Sequence, residues 1–233
     1  MFRRSALFLL PLCFLQLYAA GQEGDVRFKR ITINDGLSVS SVYTIYQDSK
    51  GFVWFGTEDG LNRYDGQQVT VYGAAAEPSQ VLANKWIELI YEDRTGMIWL
   101  GSRGGLTKYD PRKGIFVILS HDPDDPATLS SDSVTVIGTD QRNDVWIGTS
   151  RGLNRVDRQT NEVERIIPDE PDLAGLTSRI TGFLQDPSGI FWISTERGLY
   201  SYDPKSGLFF RETADGLIGF ETLVCHMSLA EDV

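Results

Sequence analysis

The sequence predicts an all-β protein, a β-propeller built of four-stranded antiparallel blades. Three observations carry this. The segments Trp54 to Asp65, Trp99 to Asp110, Trp146 to Asp157 and Trp192 to Asp203 align without a gap, each reading W-[FLI]-[GS]-[TS]-x-x-G-L-x-x-[YV]-D. An aspartate stands six residues before each tryptophan, at Asp48, Asp93, Asp140 and Asp186. Successive aspartates are 45, 47 and 46 residues apart, a period that fits a blade of four short strands. Helical repeats of that length would place apolar residues at i, i+3, i+4 and i+7, whereas these segments are short β-rich runs broken by turns.

Taken in chain order, residues 1–21 read as a signal peptide. Arg3 and Arg4 form a basic start, Ala6 to Leu17 an apolar stretch, and Ala19 and Gly21 the small residues of a cleavage site. The apolar stretch is short for a membrane span, which needs about 20 residues. Residues 22–233 are expected to form a partial propeller. Residues 26–33 resemble the close of the fourth repeat and are predicted to form an outer strand without a blade of its own. The blades are predicted at 37–72, 82–119, 129–167 and 176–212. In the first, strands are expected at Val42 to Gln47, Val53 to Thr57, Leu61 to Tyr64 and Gln68 to Tyr72. Residues 217–233 read as the start of a fifth blade, so the chain is expected to end inside a repeat and to form an incomplete ring.

The turns follow the same pattern. Asp48-Ser-Lys-Gly51, Asp93-Arg-Thr-Gly96 and Asp186-Pro-Ser-Gly189 have aspartate at the first and glycine at the fourth position of a tight turn. Asn143 replaces the glycine in Asp140-Gln-Arg-Asn143, and asparagine is the next residue best able to take a left-handed conformation. The repeated aspartates are therefore expected to be turn caps. The repeated tryptophans are expected to fill the gaps between blades, since a ligand platform would not recur at one position of every blade.

The composition narrows the function. The formal net charge is −10, and becomes −12 if Arg3 and Arg4 leave with the signal peptide. An acidic surface repels polyanions, so no nucleic acid partner is expected. Cys13 would also leave, so Cys225 would stand alone without an internal disulfide. His121 lies in a polar loop, His-Asp-Pro-Asp-Asp-Pro, with no second ligand at metal spacing. Asp122, Asp124 and Asp125 lack the glycine turn and distal glutamate of a calcium loop. Cys225 and His226 are neighbours on a predicted strand and point to opposite faces. No nucleophile-elbow, phosphate-loop or zinc-protease motif occurs, so no catalytic residue, metal or cofactor is assigned.

The positions that vary between blades are the candidates for ligand binding. Seven residues before each repeat aspartate stand Ser41, Trp86, Ser133 and Arg179, on loops entering the predicted inner strands. Trp86 is the one tryptophan of five outside the repeat pattern, and Arg179 suits an anionic group.

With its D-x-x-G-x-[IVF]-W-[IFL]-G-T core, its G-L-[NT]-[RK]-Y-D segment and its L-[ST] lead-ins (Leu37-Ser38, Leu129-Ser130, Leu176-Thr177), the sequence resembles the two-component regulator propeller family. The resemblance runs from Asp25 to Val233. It implies an open arc or a truncated seven-bladed ring, from the periplasmic sensor region of a receptor whose membrane and output modules, a histidine kinase or a diguanylate cyclase, are missing from this chain. It further implies a small-molecule or oligosaccharide ligand and homodimerisation of the full receptor. A secreted lyase-like enzyme and a protein-binding scaffold are the rival readings. Quinoprotein and sialidase repeats space their aspartate and tryptophan differently and are set aside.

Overall fold

The computed structural model describes residues 28–73 and 81–213. The expected signal peptide, the expected fifth blade, Cys225 and His226 lie outside the described residues. Residues 28–30 belong to a short leading unit and have no regular secondary structure; the blade-bearing unit begins at Ile31. Its strands are β1 (Val42–Gln47), β2 (Val53–Thr57), β3 (Gly60–Tyr64), β4 (Val69–Tyr72), β5 (Leu89–Glu92), β6 (Ile98–Ser102), β7 (Gly105–Asp110), β8 (Ile115–Leu119), β9 (Val134–Thr139), β10 (Val145–Thr149), β11 (Gly152–Val156), β12 (Val163–Ile166), β13 (Ile180–Gln185), β14 (Phe191–Thr195), β15 (Gly198–Asp203) and β16 (Leu208–Glu212). They form four separate antiparallel sheets of four strands, each a meander in sequence order. No helix of the described residues is long and apolar enough to cross a membrane.

One element departs from expectation. No outer strand forms over the described part of residues 26–33. Ile33–Asp35 is instead a short 3-10 helix. Thr32 and Asp35 cap it reciprocally, the Asn34 N–H donating to Thr32 Oγ1 at 3.2 Å and the Thr32 N–H to Asp35 Oδ2 at 2.8 Å. The capping box gives this segment local partners for its backbone N–H groups in a helical turn.

Each blade is organised by its aspartate. One oxygen of Asp48 accepts the N–H groups of Lys50 and Phe52 at 3.0 and 2.9 Å, closing the first turn. The other accepts the indole N–H of Trp54 at 2.8 Å. The same indole bond recurs from Trp99 to Asp93 at 2.9 Å, from Trp146 to Asp140 at 3.2 Å and from Trp192 to Asp186 at 2.9 Å. Asn143 takes φ 65°, as the turn requires, and Asn161 takes the same φ where Gly114 and Gly207 serve the equivalent turns of the second and fourth blades.

Consecutive blades are joined by three apolar clusters, one per junction. Trp54, Trp99 and Trp146 are at most 1% exposed, each pointing at the next blade. The [YV] position of the following repeat meets them: Tyr109 lies 6.0 Å from Trp54, Val156 packs in the cluster of Trp99, and Tyr202 lies 5.4 Å from Trp146. An indole ring of this kind withdraws about 150–250 Å² from water, a gross gain of roughly 4–6 kcal/mol. Trp192, whose outer face meets no described blade, is only half-buried. Ile45 occupies the position that Ile90, Ile137 and Phe183 use to pack on a preceding blade, and it is 65% exposed. The described blades thus form an incomplete propeller.

Packing at the third junction compensates between blades. Gly138 stands where the first two blades have Tyr46 and Tyr91, and Phe183 stands where the others have isoleucine. A Cβ at Gly138 would lie 2.2 Å from Phe183 Cε2, so the ring occupies the space that a side chain would need.

Three outcomes are expected. Asp93→Ala strips a turn of its cap and leaves a buried indole N–H without an acceptor, lowering stability by roughly 2–4 kcal/mol in denaturant melts. Gly138→Ala costs roughly 1–3 kcal/mol by overpacking, and adding Phe183→Ile recovers part of the loss. The third concerns acid. Burial raises the pKa of Asp186, but the Ser188 hydroxyl, the Trp192 indole and the backbone N–H groups of Ile190 and Ser188 outweigh it and hold it below the usual 3.8. The N–H groups of Gln68 and Gln67, and of Thr160 and Gln159, lower Asp65 and Asp157 in the same way. A depressed carboxylate contributes stability in full above its unfolded value and loses it as pH falls through the folded value. The melting temperature should therefore drop once the pH passes below about 4.

Candidate functional site

One end of the blade array carries the loops that enter β1, β5, β9 and β13 together with the hairpin turns between the second and third strands. The repeat anchors this rim. The Ser38 N–H donates to Asn62 Oδ1 at 2.9 Å, its hydroxyl meets Thr57 Oγ1 at 3.0 Å, and Asn62 Nδ2 donates back to Ser38 Oγ at 3.0 Å. Ser130, Asn154 and Thr149 repeat the arrangement at 2.9, 2.8 and 2.9 Å. This explains the serine of the L-[ST] lead-in and the asparagine after Gly-Leu. In the second blade Thr107 Oγ1 takes over, accepting the Ala83 N–H at 2.9 Å. In the fourth blade the buried Tyr200 replaces the asparagine and lies so close to Gly175 that a Cβ there would sit 2.0 Å from its hydroxyl.

The four predicted ligand-binding positions do not all converge. Ser133 and Arg179 line one concavity of about 520 Å³, which Glu88, Arg103 and Thr135 also line. Trp86 is linked to it through Arg103, whose guanidinium carbon lies 5.8 Å from the indole ring. Trp86 is 38% exposed and packs on Tyr43 with ring centroids 5.1 Å apart. Ser41 is exposed at the head of β1 and does not line the concavity. Burial, then the neighbouring carboxylates of Glu58 and Glu88, raise the pKa of the Tyr43 hydroxyl.

Sequence reasoning missed Tyr43, Glu88 and Arg103. A signal for Arg103 was present: the two turn residues of [GS]-[TS]-x-x-G are Glu58-Asp59, Arg103-Gly104, Ser150-Arg151 and Glu196-Arg197, changing charge from blade to blade inside a constant frame. A larger concavity of about 1020 Å³ runs from Tyr91 and Gly138 to Phe183, Leu184 and Leu199. Leu184 and Leu199 lie on the fourth-blade face that meets no described neighbour, so part of its wall is ordinary inter-blade surface.

The loop between the second and third blades is held by Arg165, which donates to the carbonyls of Asp122, Asp125 and Thr128 at 2.9, 2.9 and 2.7 Å. His121 Nδ1 meets the Leu129 carbonyl at 2.6 Å. The carboxylates of Asp122 and Asp125 accept backbone N–H groups of their own loop. Among the described residues no group of three His, Cys, Asp or Glu side chains is placed to hold a metal ion.

Comparison with known proteins agrees with the repeat. Residues 36–59 match the family model described as "Two component regulator propeller". A stretch of 66 residues is 44% identical to histidine kinase P4 of Formosa agariphila, covering 28% of this chain and 5% of the kinase. The extracellular domain of a one component system from B. thetaiotaomicron superposes with a TM-score of 0.63 at 23% identity, over 81% of this chain and 27% of that one. The extracellular domain of a hybrid two component system from the same organism gives 0.56 at 24%, over 78% and 31%. Virginiamycin B lyase from Staphylococcus aureus gives 0.54 at 15%, over 76% and 57%. These structural likenesses show the propeller fold alone. The family model is met at residues 36–59, and the aspartate–turn–tryptophan core found there recurs in the three blades that follow.

Proposed function

We propose that this chain is the ligand-sensing, extracytoplasmic propeller module of a bacterial signal-transduction receptor. The observation that carries the reading is the tandem regulator-propeller repeat, reinforced by the 66-residue stretch shared with a histidine kinase. The basic and apolar leader of residues 1–21 supports export to the periplasm. A rigid frame with a variable rim supports recognition: positions fixed between blades build the packing, and two of the changeable ones, Ser133 and Arg179, line a concavity of a size that suits a small-molecule or oligosaccharide ligand. In this reading the module does no chemistry of its own and works without nucleic acid. Catalysis belongs to a kinase or cyclase module of the whole receptor, in which two copies pair.

The test uses the receptor that carries this propeller, with a transcriptional reporter and growth on a panel of oligosaccharides. Trp86→Ala combined with Arg179→Ala should abolish the response to the inducing sugar while the receptor's abundance in the membrane stays unchanged. An undiminished response overturns the reading.

A further inference from the structure

The rim concavity where the second, third and fourth blades meet holds more charge than blade packing requires. Three charged side chains line it: Glu88, Arg103 and Arg179. Arg103 donates from Nε to both oxygens of Glu88, at 3.1 and 3.4 Å. Arg179 places its Nε 3.8 Å from Glu196 Oε1. In both residues the terminal Nη groups make no hydrogen bond to any described residue; Arg103 is held at Nε by Glu88, whereas Arg179 is only an ion-pair distance from Glu196. The Ser133 hydroxyl on the same wall has no hydrogen-bond partner among the described residues either. Glu196 stands beside this lining, so two positive charges face two negative ones here, on a chain whose formal charge is −10. Beside it, Trp86 and Tyr43 form an aromatic shelf against which Arg103 lies.

Neither Arg103 nor Arg179 is explained by the repeat. At the position of Arg103 the other blades have Glu58, Ser150 and Glu196, and at that of Arg179 they have Ser41, Trp86 and Ser133. Exposed ion pairs of this kind contribute little to stability. Their chemical value lies in orientation, because a guanidinium held at Nε presents its remaining N–H groups in the geometry that matches a carboxylate or a sulfate ester.

We infer that this concavity recognises the anionic group of a ring-bearing ligand. The Arg103 and Arg179 forks and the Ser133 hydroxyl hold a carboxylate or sulfate ester, and Trp86 with Tyr43 carries the ring. The inference rests on the sensing reading and deepens it by naming the ligand's chemistry. It also predicts salt dependence, since contacts at a half-exposed rim are screened by added electrolyte.

Calorimetric titration of the full chain tests this with three probes: a uronic-acid disaccharide, the sulfate ester of the corresponding neutral disaccharide, and the neutral disaccharide itself. At least one anionic probe should bind at least about tenfold more tightly than the neutral one, and whichever does so identifies the source of the charge. Arg103→Gln and Arg179→Gln should each weaken that binding about tenfold or more, with the melting temperature unchanged because both side chains are exposed. Trp86→Ala should weaken all ring-bearing probes together. Equal binding of the neutral probe, indifference to both arginine substitutions, or absence of saturable binding by any probe overturns the inference. The receptor experiment separates the two failures. A response lost with Trp86 and Arg179, alongside equal neutral binding, retains sensing and discards the anion. A response indifferent to those residues, alongside intact anion binding, does the reverse.

Discussion

A single carboxylate in each blade performs two tasks that other folds assign to separate residues. One oxygen of Asp48, Asp93, Asp140 or Asp186 closes the turn between the first two strands, and the other fixes the indole six residues on. The turn determines where the second strand begins, and the indole bond determines how the tryptophan projects from it. Because that ring is the wedge between one blade and the next, a local hydrogen bond sets a long-range angle. A sheet of four strands cannot bury both of its faces by itself, so its stability depends on neighbours. The aspartate couples the geometry of each sheet to that of its neighbour.

Around this constant element the junctions differ in their fillings. Trp54 and Trp146 meet tyrosines from the next blade, whereas Trp99 meets Val145 and Val156 and has the Lys108 ammonium 5.3 Å from its ring. Lys108 reaches across to Asn161 at 2.9 Å, and burial lowers its pKa. At the third junction the exchange of a large residue for glycine on one side is matched by phenylalanine on the other. The repeat fixes the volume to be filled and leaves open how each pair of blades fills it.

Most of the fold was legible in the sequence because the repeat supplies its own controls. Four copies of one motif show which positions are structural, and the strand ends of the first blade could be read from Asp-x-x-Gly and Asp-Gly turns alone. The indole–aspartate bond was legible only as an unexplained constant spacing of six, since two residues far apart on an extended chain give no sign that they meet around a tight turn. The leading segment misled for a physical reason: its apolar and β-branched residues suit a strand, but Thr32 and Asp35 form a capping box that favours a helical turn. For the rim, two of the four positions singled out by variation between blades, Ser133 and Arg179, line one concavity. That variation did not show that Ser41 stands apart, nor that Arg103 from a hairpin turn of the second blade joins residues of the third and fourth. Such convergence depends on how neighbouring blades are rotated against each other, which no single repeat contains.

The account is tested most directly by hydrogen exchange at the five indole N–H groups, followed by NMR on the native protein. Bonded to a carboxylate and sealed between blades, the indoles of Trp54, Trp99 and Trp146 should exchange slowly and nearly together. Trp192, bonded but half-buried, should exchange faster, and Trp86 on the rim should exchange fastest. Rapid exchange at all five, or protection of Trp86 to the level of Trp99, would contradict a structure in which aspartate-held indoles are the wedges between blades.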